Sequence, residues 1–244
     1  MKKYSLNKKE IDCHKIRFEK NNGRFINYFL SLLLVFFSFG GFMNRKEVIS
    51  LPSPNTKGNV SLEEAINKRH SVRNFLNKDI RIEKLSQILW VAYGIKKNSL
   101  DAISSASRTV PSAGACYPFE IYVVKKDGLF LYIPKGHRIE KVLNEDLRKE
   151  LANACLGQYF ISEAPVSVII CFNEERISYK YGRRGRRYGN FEAGHIAQNI
   201  VLKAVTLDLG SVPIGAFDEG KVKTLLQLPD VLEPVYILPI GYPK

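Results

Sequence analysis

Two arginines and a serine alternate along a short stretch of the chain and could bind a phosphate group. Arg69, Ser71 and Arg73 are each separated by one residue. In an extended chain alternate side chains lie on one face, so both guanidinium groups and the hydroxyl would point the same way. Each charge-assisted hydrogen bond to a phosphate oxygen is worth about 1.5 to 3 kcal/mol. The stretch therefore predicts an anchor for a phosphorylated ligand, with a solvated basic edge as the alternative.

The backbone around this stretch is expected to change from helix to extended chain. Ser61 and Glu64 have the spacing of a capping box, which predicts a short helix that begins at Ser61. Val72 is β-branched and its neighbours His70 and Ser71 are mediocre helix formers, so we expect residues 69–75 to be extended. This change of backbone would place the three polar side chains on one face.

A run of small residues could form one wall of a binding site for a flat ring. It comprises Pro111, Ser112, Ala113 and Gly114 and precedes a predicted strand that begins at Phe119. Small side chains allow backbone N–H and C=O groups to approach the polar edge of a ligand directly. A tight turn that binds nothing is the alternative.

Lys180 and Tyr181 lie in a basic and aromatic stretch, Tyr179–Tyr188, and could move a proton. The like charges around Lys180 favour loss of its proton, which would make it a base, and Tyr181 could donate or relay a proton. The alternative is a basic loop that contacts lipid headgroups or nucleic acid. Farther along, His195 has no evident metal partner, so we expect a structural histidine and no metal site.

Charge and cysteine content restrict the classes of function. The 244 residues carry a net charge of +13, which permits contact with anionic lipid or nucleic acid without requiring it. The four cysteines show no Cys-x-x-Cys pair, so neither a zinc site nor a disulfide scaffold is indicated. The sequence leaves open whether one disulfide forms among Cys116, Cys155 and Cys171.

The N-terminal part of the sequence predicts a targeting segment. Residues 1–24 are basic, and residues 25–43 contain no charged side chain. As a helix the second segment would span about 28 Å, close to the roughly 30 Å hydrocarbon core of a bilayer. We predict either a cleaved signal peptide or a transmembrane anchor, with the remaining chain secreted or membrane-anchored outside the cytoplasm. Residues 44–59 predict a linker, and residues 60–244 predict one domain.

The pattern of residues 60–244 predicts helices and strands that interleave without a regular βαβ repeat. We therefore expect an α+β fold. Helices are predicted from Ser61, over Ile82–Tyr93 with Gly94 as the C-terminal cap, over Glu145–Ala154, over Asn190–Asp208 and near Lys221–Leu226, and strands over Phe119–Val124, Leu129–Ile133, Val166–Phe172 and Val235–Ile240.

Several of these segments, in this order, resemble the motifs of the nitroreductase superfamily. The motifs are Ser-Leu-Glu-Glu-Ala-Ile-x-Lys-Arg-x-Ser-Val-Arg from Ser61, Leu-Ser-Gln-Ile-Leu-Trp-x-Ala-x-Gly ending at Gly94, Arg-x-x-Pro-Ser-Ala-Gly-Ala-x-Tyr-Pro from Arg108, Lys-Tyr-Gly-x-Arg-Gly-x-Arg-Tyr from Lys180, Glu-Ala-Gly-His-x-x-Gln-Asn from Glu192, and Leu209-Gly210. Within the superfamily the sequence is most similar to the SagB-type branch, which includes thiazoline and oxazoline oxidases. The resemblance covers roughly residues 59–244.

The resemblance implies a nitroreductase-like mixed or antiparallel sheet flanked by helices, FMN as the cofactor and a homodimer with the flavin at the subunit interface. The residues implied to bind FMN are Arg69, Ser71 and Arg73 at the phosphate, Pro111, Ser112, Ala113 and Gly114 at the ring, and Gly210 near the ring. The final residue, Lys244, would replace a basic phosphate ligand that family members often carry beyond the closing Gly-Tyr-Pro. Lys180 and Tyr181 match a Lys-Tyr pair implicated in azoline oxidation, in which a base removes a proton as hydride passes to the flavin.

These inferences predict an FMN-dependent oxidoreductase that transfers hydride with a small organic or peptide-derived substrate and has no nucleic-acid partner. One alternative is an NAD(P)H-dependent nitroreductase. The predicted location outside the cytoplasm disfavours this alternative, because NAD(P)H is scarce there. The same location departs from azoline oxidases, which normally work in the cytoplasm. An alternative of another class is a membrane-tethered module without turnover, which would bind lipid or nucleic acid through residues 183–187.

Overall fold

The computed structural model describes residues 47–96 and 107–244. The predicted basic segment, residues 1–24, and the predicted signal peptide or anchor, residues 25–43, lie outside the described residues. Within the two described ranges, none of the helices has the length and apolar character that a membrane span requires.

A seven-stranded sheet runs through the described part of the chain, and its adjacent strands pair antiparallel. The order across the sheet is β1-β4-β3-β2-β5-β7-β6. The strands are β1 Val48–Ser50, β2 Phe119–Lys125, β3 Gly128–Ile133, β4 Arg138–Leu143, β5 Val166–Asn173, β6 Gly210–Ser211 and β7 Leu232–Gly241. The central strand β5 is buried along its whole length, as its continuous apolar sequence predicts.

Helices cover both faces of this sheet. They are α1 Leu62–Lys68, α2 Ile82–Tyr93, α3 Arg148–Ala154, α4 Phe160–Glu163, α5 Glu174–Tyr181, α6 Arg184–Val205 and α7 Glu219–Leu225. Apolar side chains of α2 and α6 pack in one buried cluster, and those of α3, α4 and α7 pack in another. The predicted α+β class is confirmed, with an antiparallel sheet between two helical layers.

The change from helix to extended chain after α1 is confirmed. The Ser61 side chain accepts a hydrogen bond from the backbone N–H of Glu64 at 3.1 Å, which caps the first turn. Arg69 ends the helix in an extended conformation. Val72 is buried whereas its neighbours Ser71 and Arg73 are exposed, so the predicted alternation is present at these three residues. It does not extend further by burial, because His70 and Asn74 are exposed and Phe75 is buried.

The prediction that the long helix begins at Asn190 is wrong, because α6 begins at Arg184. The stretch Tyr179–Tyr188, for which a basic loop was the alternative interpretation, forms the end of α5 and the beginning of α6. Glycine usually weakens a helix, but α6 keeps Gly185 and Gly189 at points of close packing. A Cβ atom would lie 2.8 Å from the Ser178 Oγ at the first position and 2.4 Å from the Phe172 ring at the second.

The predicted linker, residues 44–59, is wrong in part because it contains an edge strand. Ser50 pairs with Arg138 of β4, and the next residue, Leu51, is buried. Strand β4 was also not predicted. Strand β1 is a short edge strand that depends on pairing with distant residues of β4, so it has no strong local signal.

Candidate flavin site

The extended stretch after α1 lies beside strand β6. Ser71 forms an isolated parallel bridge with Ser211, and the backbone N–H of Val72 donates to the Ser211 carbonyl at 3.2 Å. Arg69, Ser71 and Arg73 are exposed, and among the described residues their side chains have no hydrogen-bond or ion-pair partner. The stretch therefore presents two uncompensated guanidinium groups and one hydroxyl, as the sequence predicts.

The C-terminal end of the chain lies against the same stretch. The backbone N–H of Lys244 donates to the Asn74 carbonyl at 3.2 Å, and the N–H of Leu76 donates to the Tyr242 carbonyl at 2.8 Å. The ammonium group of Lys244 is 3.8 Å from the Glu163 carboxylate, and both side chains are exposed. An exposed ion pair of this kind contributes little to stability. The Lys244 ammonium group can therefore also interact with another negatively charged group nearby. The structure thus places Lys244 beside the predicted phosphate ligands.

Gly210 is required for the packing of this region. A Cβ atom at this position would lie 2.5 Å from a methyl carbon of Val72, so a side chain would displace the stretch that carries Ser71. The next hydroxyl group, Ser211 Oγ, is buried and has no hydrogen-bond partner in the described part of the chain. A buried hydroxyl without a partner is costly, and a ligand oxygen at this place would remove that cost. A predicted contact between Gly210 and the flavin ring stays a prediction.

The small-residue run forms a turn that contacts the predicted catalytic pair. Ala113–Ala115 is a short 3-10 turn, and Gly114 within it has φ of 57°. A Cβ atom at Gly114 would lie 2.6 Å from both Lys180 Nζ and the Tyr181 hydroxyl. Lys180 Nζ also lies 3.4 Å from the Gly114 carbonyl oxygen. Only glycine combines this backbone conformation with so close an approach, so the contact depends on Gly114.

Tyr181 and Lys180 are held on this turn by the junction between α5 and α6. The Tyr181 and Tyr188 rings pack edge to face with centroids 5.1 Å apart. Asn173 caps α5 by accepting the backbone N–H of Arg176 at 3.2 Å. Lys180 is exposed and Tyr181 is half-buried, so the amine and the phenol are both accessible from the turn. The arrangement places a potential base and a potential proton relay beside one wall of a site.

The segment that leads into the turn is fixed to α2 and α6. Asn199 Nδ2 donates to the carbonyl oxygens of Val91 at 3.1 Å and Thr109 at 3.3 Å. The Thr109 hydroxyl donates to the Trp90 carbonyl at 2.9 Å. The Arg108 guanidinium donates to the Tyr93 carbonyl at 3.1 Å. These bonds restrict the turn before any ligand binds, which lowers the entropy cost of binding.

A buried carboxyl group lies beneath the turn. Glu192 of α6 is 2% exposed, and its Oε1 atom accepts a hydrogen bond from the Tyr93 hydroxyl at 2.8 Å. Burial raises the pKa of Glu192, and the nearby Ser112 and Tyr93 hydroxyls and the Arg108 charge oppose this rise. Desolvation, together with the charge of Glu192, also raises the pKa of Tyr93 far above its ordinary range. Tyr93 is therefore a neutral hydrogen-bond donor at all physiological pH values.

This buried network was not predicted as part of the site. Glu192 belongs to one of the quoted motifs, but nothing in its spacing indicates that it reaches Ser112 or Tyr93.

Another expectation was wrong: His195 is exposed and has no partner among the described residues, so it is not a buried structural histidine. Cys116, Cys155 and Cys171 are all free, which answers the open question of a disulfide.

The predicted phosphate ligands and the predicted ring contacts lie near different parts of α6. Val72 and Ser211 line a cavity of about 490 Å³ together with Val201 and Val205, near the C-terminal end of the helix. The Ser112 hydroxyl lowers the pKa of Glu192, which lies in the N-terminal half of the helix. Glu192 and Val205 are about 20 Å apart along the helix axis at a rise of 1.5 Å per residue. The chain therefore carries two groups of candidate residues, one at each of these places.

Comparison with known proteins bears on the family to which the chain belongs. A model of the Nitroreductase family matches residues 66–242. The chain is 40% identical over 188 residues to MJ1384 of Methanocaldococcus jannaschii, a protein named as a nitroreductase, with 75% of this chain and 91% of that protein covered. It is 25% identical over 197 residues to the microcin B17-processing protein McbC of Escherichia coli, with 74% of this chain and 70% of McbC covered.

A solved structure extends the comparison to the fold. The crystal structure of a protein from Ralstonia eutropha named as a nitroreductase superposes with a TM-score of 0.71 at 28% identity, and covers 81% of this chain and 90% of its own. The fold, the family match and the 40% identity define an oxidoreductase class rather than a module without turnover. The chain belongs to the nitroreductase family.

Proposed function

We propose that this protein is an FMN-dependent oxidoreductase that oxidises a small organic or peptide-derived substrate by hydride transfer, in the manner of the SagB-type branch. One observation carries the proposal: Lys180 Nζ and the Tyr181 hydroxyl both lie against Gly114 in the turn that would contact the flavin ring. The similarity to McbC supports the same branch at 25% identity.

The residues present fit FMN at both of its ends. Arg69, Ser71, Arg73 and Lys244 would hold the phosphate, because they supply three positive charges and a hydroxyl. Among the described residues only the Lys244 charge has an acidic neighbour, the exposed Glu163 at 3.8 Å. The buried Ser211 hydroxyl lacks a partner in the described residues and would gain one from such a ligand. At the other end Pro111–Gly114 would lie against the ring.

Bound FMN would supply a hydride acceptor, and the protein would supply the proton transfer and the geometry. Lys180 accepts a proton from the substrate carbon, and Tyr181 donates a hydrogen bond that orients the reacting group. The turn needs no rearrangement for this role, because Asn199 and Thr109 already fix the chain that leads into it.

We further propose that a complete site needs two chains. FMN carries its phosphate on a short ribityl arm, whereas the two groups lie beside parts of α6 that are about 14 to 20 Å apart along its axis, Glu192 for the turn and Val201 to Val205 for the phosphate ligands. A twofold dimer would place the turn of one chain opposite the phosphate ligands of the other. The exposed apolar side chains of α1, Leu62 and Ile66, supply surface suited to such a contact.

Mixed dimers provide a direct test of the shared site. A chain with Arg69→Ala and Arg73→Ala is combined with a chain that carries Lys180→Ala by unfolding and refolding them together. Each mixed dimer should contain one site with both wild-type halves, so that roughly a quarter of all sites become active although neither variant is active alone. Substrate turnover per chain is the measurement.

The matched control combines Lys180→Ala with a Tyr181→Phe chain. Both changes then affect the same half of the site, so no site in the mixed dimer is wholly wild-type. This mixture should add no activity beyond that of the separate variants. Sites built within single chains would give no recovery in the first mixture either, and that result would refute the shared site.

A second candidate function is NAD(P)H-dependent nitroreduction, which the 40% identity to MJ1384 favours. Full-length protein is purified, and heat-released material is examined for FMN, which the first proposal and this one both require. The protein is then mixed anaerobically with NADPH. We expect slow flavin bleaching that does not saturate at micromolar NADPH, together with prompt bleaching by a thiazoline or oxazoline test substrate. Prompt bleaching by NADPH alone would establish the second function instead, and absence of FMN would refute both.

A further inference from the structure

A cavity of about 450 Å³ lies between the helices α1, α2 and α6. None of the residues predicted to bind FMN or to move a proton lines this cavity. Its size is within the range of about 300 to 1,000 Å³ that is typical of small-molecule sites. The described part of the chain therefore contains a cavity of ligand size that the proposed oxidoreductase site does not use.

Two lysines supply the charge of this cavity. Lys96 and Lys203 line it, and no aspartate or glutamate of the described ranges does. Neither amine has a hydrogen-bond or ion-pair partner among the described residues. Two positive charges without a counter-charge create a local field that attracts an anion.

Lys203 is the more unusual of the two lysines, because it is half-buried in the last turn of α6. Lysine is rarely removed from water without a partner, since desolvation of an ammonium group is costly. Burial lowers the pKa of the Lys203 amine, and no acidic neighbour opposes this shift. A bound anion would supply the missing counter-charge and would offset the cost of desolvation.

Trp90 gives the cavity an aromatic wall whose position is fixed. Its carbonyl oxygen accepts hydrogen bonds from the Gly94 backbone N–H at 2.8 Å and from the Thr109 hydroxyl at 2.9 Å. A Cβ atom at Gly94 would lie 2.4 Å from a carbon of the indole ring, so the ring packs directly on the Gly94 backbone. A flat apolar group could pack on this wall with little loss of side-chain entropy.

We propose that this cavity binds a small aromatic carboxylate, with the carboxylate group held by Lys203, Lys96 as the second cation and the ring packed on Trp90. A carboxylate fits better than a phosphate ester, because no arginine lines the cavity to bind phosphate oxygens in pairs. An inorganic anion would leave the apolar wall unfilled. The inference does not depend on FMN or on the proposed oxidation, because different residues are involved.

The fluorescence of Trp90 reports on this cavity directly, because the chain contains a single tryptophan. Benzoate is titrated into purified full-length protein at constant ionic strength. Benzamide serves as a neutral ligand of the same shape, and acetate serves as an anion without a ring. We expect a saturable change in fluorescence with benzoate, and binding that is weaker by about tenfold or more with benzamide and with acetate.

Each of these comparisons can overturn the proposal without any variant protein. Absence of a saturable change with benzoate would show that the cavity does not bind an aromatic carboxylate. Equal binding of benzamide would show that the lysine charges do not act on the ligand, and equal binding of acetate would show that the Trp90 wall does not. The result should be the same with and without bound FMN.

Variants then assign the charge to a residue. Lys203→Gln should weaken benzoate binding by about 10-fold to 100-fold and leave benzamide binding unchanged. Lys96→Gln should weaken it by only about twofold to fivefold, because this lysine is exposed. The control is Lys149→Gln, which removes an exposed lysine from α3 and should leave binding unchanged.

Unchanged benzoate affinity in Lys203→Gln, or an equal loss in Lys149→Gln, would overturn the assignment of Lys203. If Lys203→Gln did not fold, Lys96→Gln and the comparison of benzoate with benzamide would still decide whether the cavity binds the anion. None of these measurements requires FMN or turnover. Failure of the proposed function would therefore leave their result unaffected.

Discussion

Replacing both arginines of the extended stretch, Arg69→Ala with Arg73→Ala, should weaken FMN binding by about two to four orders of magnitude. Each guanidinium lost removes at least one charge-assisted hydrogen bond of about 1.5 to 3 kcal/mol, so the pair accounts for about 3 to 6 kcal/mol. A factor of ten in affinity corresponds to about 1.4 kcal/mol. The stability of the apoprotein should change little, because both side chains are exposed and have no partner among the described residues. Fluorescence titration of FMN into apoprotein measures the affinity.

The control removes the same charge elsewhere. Arg81→Ala with Lys149→Ala also deletes two exposed positive side chains, and should alter FMN affinity only through the weak long-range field. Equal losses of affinity in the two double variants would mean that net charge, and not the geometry of the stretch, holds the phosphate. Unchanged affinity in the arginine variant would show that the phosphate ligands have been assigned to the wrong residues.

The sequence was a reliable guide where a local rule determines the structure. The capping box at Ser61, the alternation around Val72 and the fully buried strand β5 were all predicted, and all are present. Each depends on residues that are close together in the chain. The candidate residues were predicted for the same reason, since Arg69–Arg73, Pro111–Gly114 and Lys180–Tyr181 are each a short stretch of sequence.

What could not be predicted depends on contacts between distant residues. Gly114 meets Lys180 and Tyr181 across 66 residues of chain, and only the fold shows that they touch. The burial of Glu192 was likewise hidden, because an acidic residue in a helix is usually exposed. Its position is explained by the Tyr93 hydroxyl, a partner 99 residues away. The early start of α6 was missed because Gly185 and Gly189 lower helix propensity locally, whereas close packing against Ser178 and Phe172 stabilises the helix.

Replacement of Lys180 should slow substrate oxidation, which requires removal of a proton, and should leave hydride transfer from NADPH to the flavin unchanged. We expect Lys180→Met to slow oxidation of an azoline test substrate by about 10²-fold to 10⁴-fold, the range typical of a lost general base. FMN content should be unchanged, because Lys180 is exposed and its contact is with the Gly114 carbonyl. Single-turnover bleaching of the flavin under anaerobic conditions is the measurement.

Two comparisons make this expectation specific to a base. Lys180→Arg should be as slow as Lys180→Met, because a guanidinium keeps the positive charge but does not release its proton in this range of pH. Any residual flavin reduction by NADPH should be the same in wild type and both variants, since hydride leaves a dihydronicotinamide without removal of a proton by the protein. Arg184→Ala, which deletes a nearby positive charge at the beginning of α6, serves as the control and should retain the wild-type rate. If Lys180→Arg kept the wild-type rate, the positive charge of Lys180 would be its contribution, and the base would have to be another group at the turn.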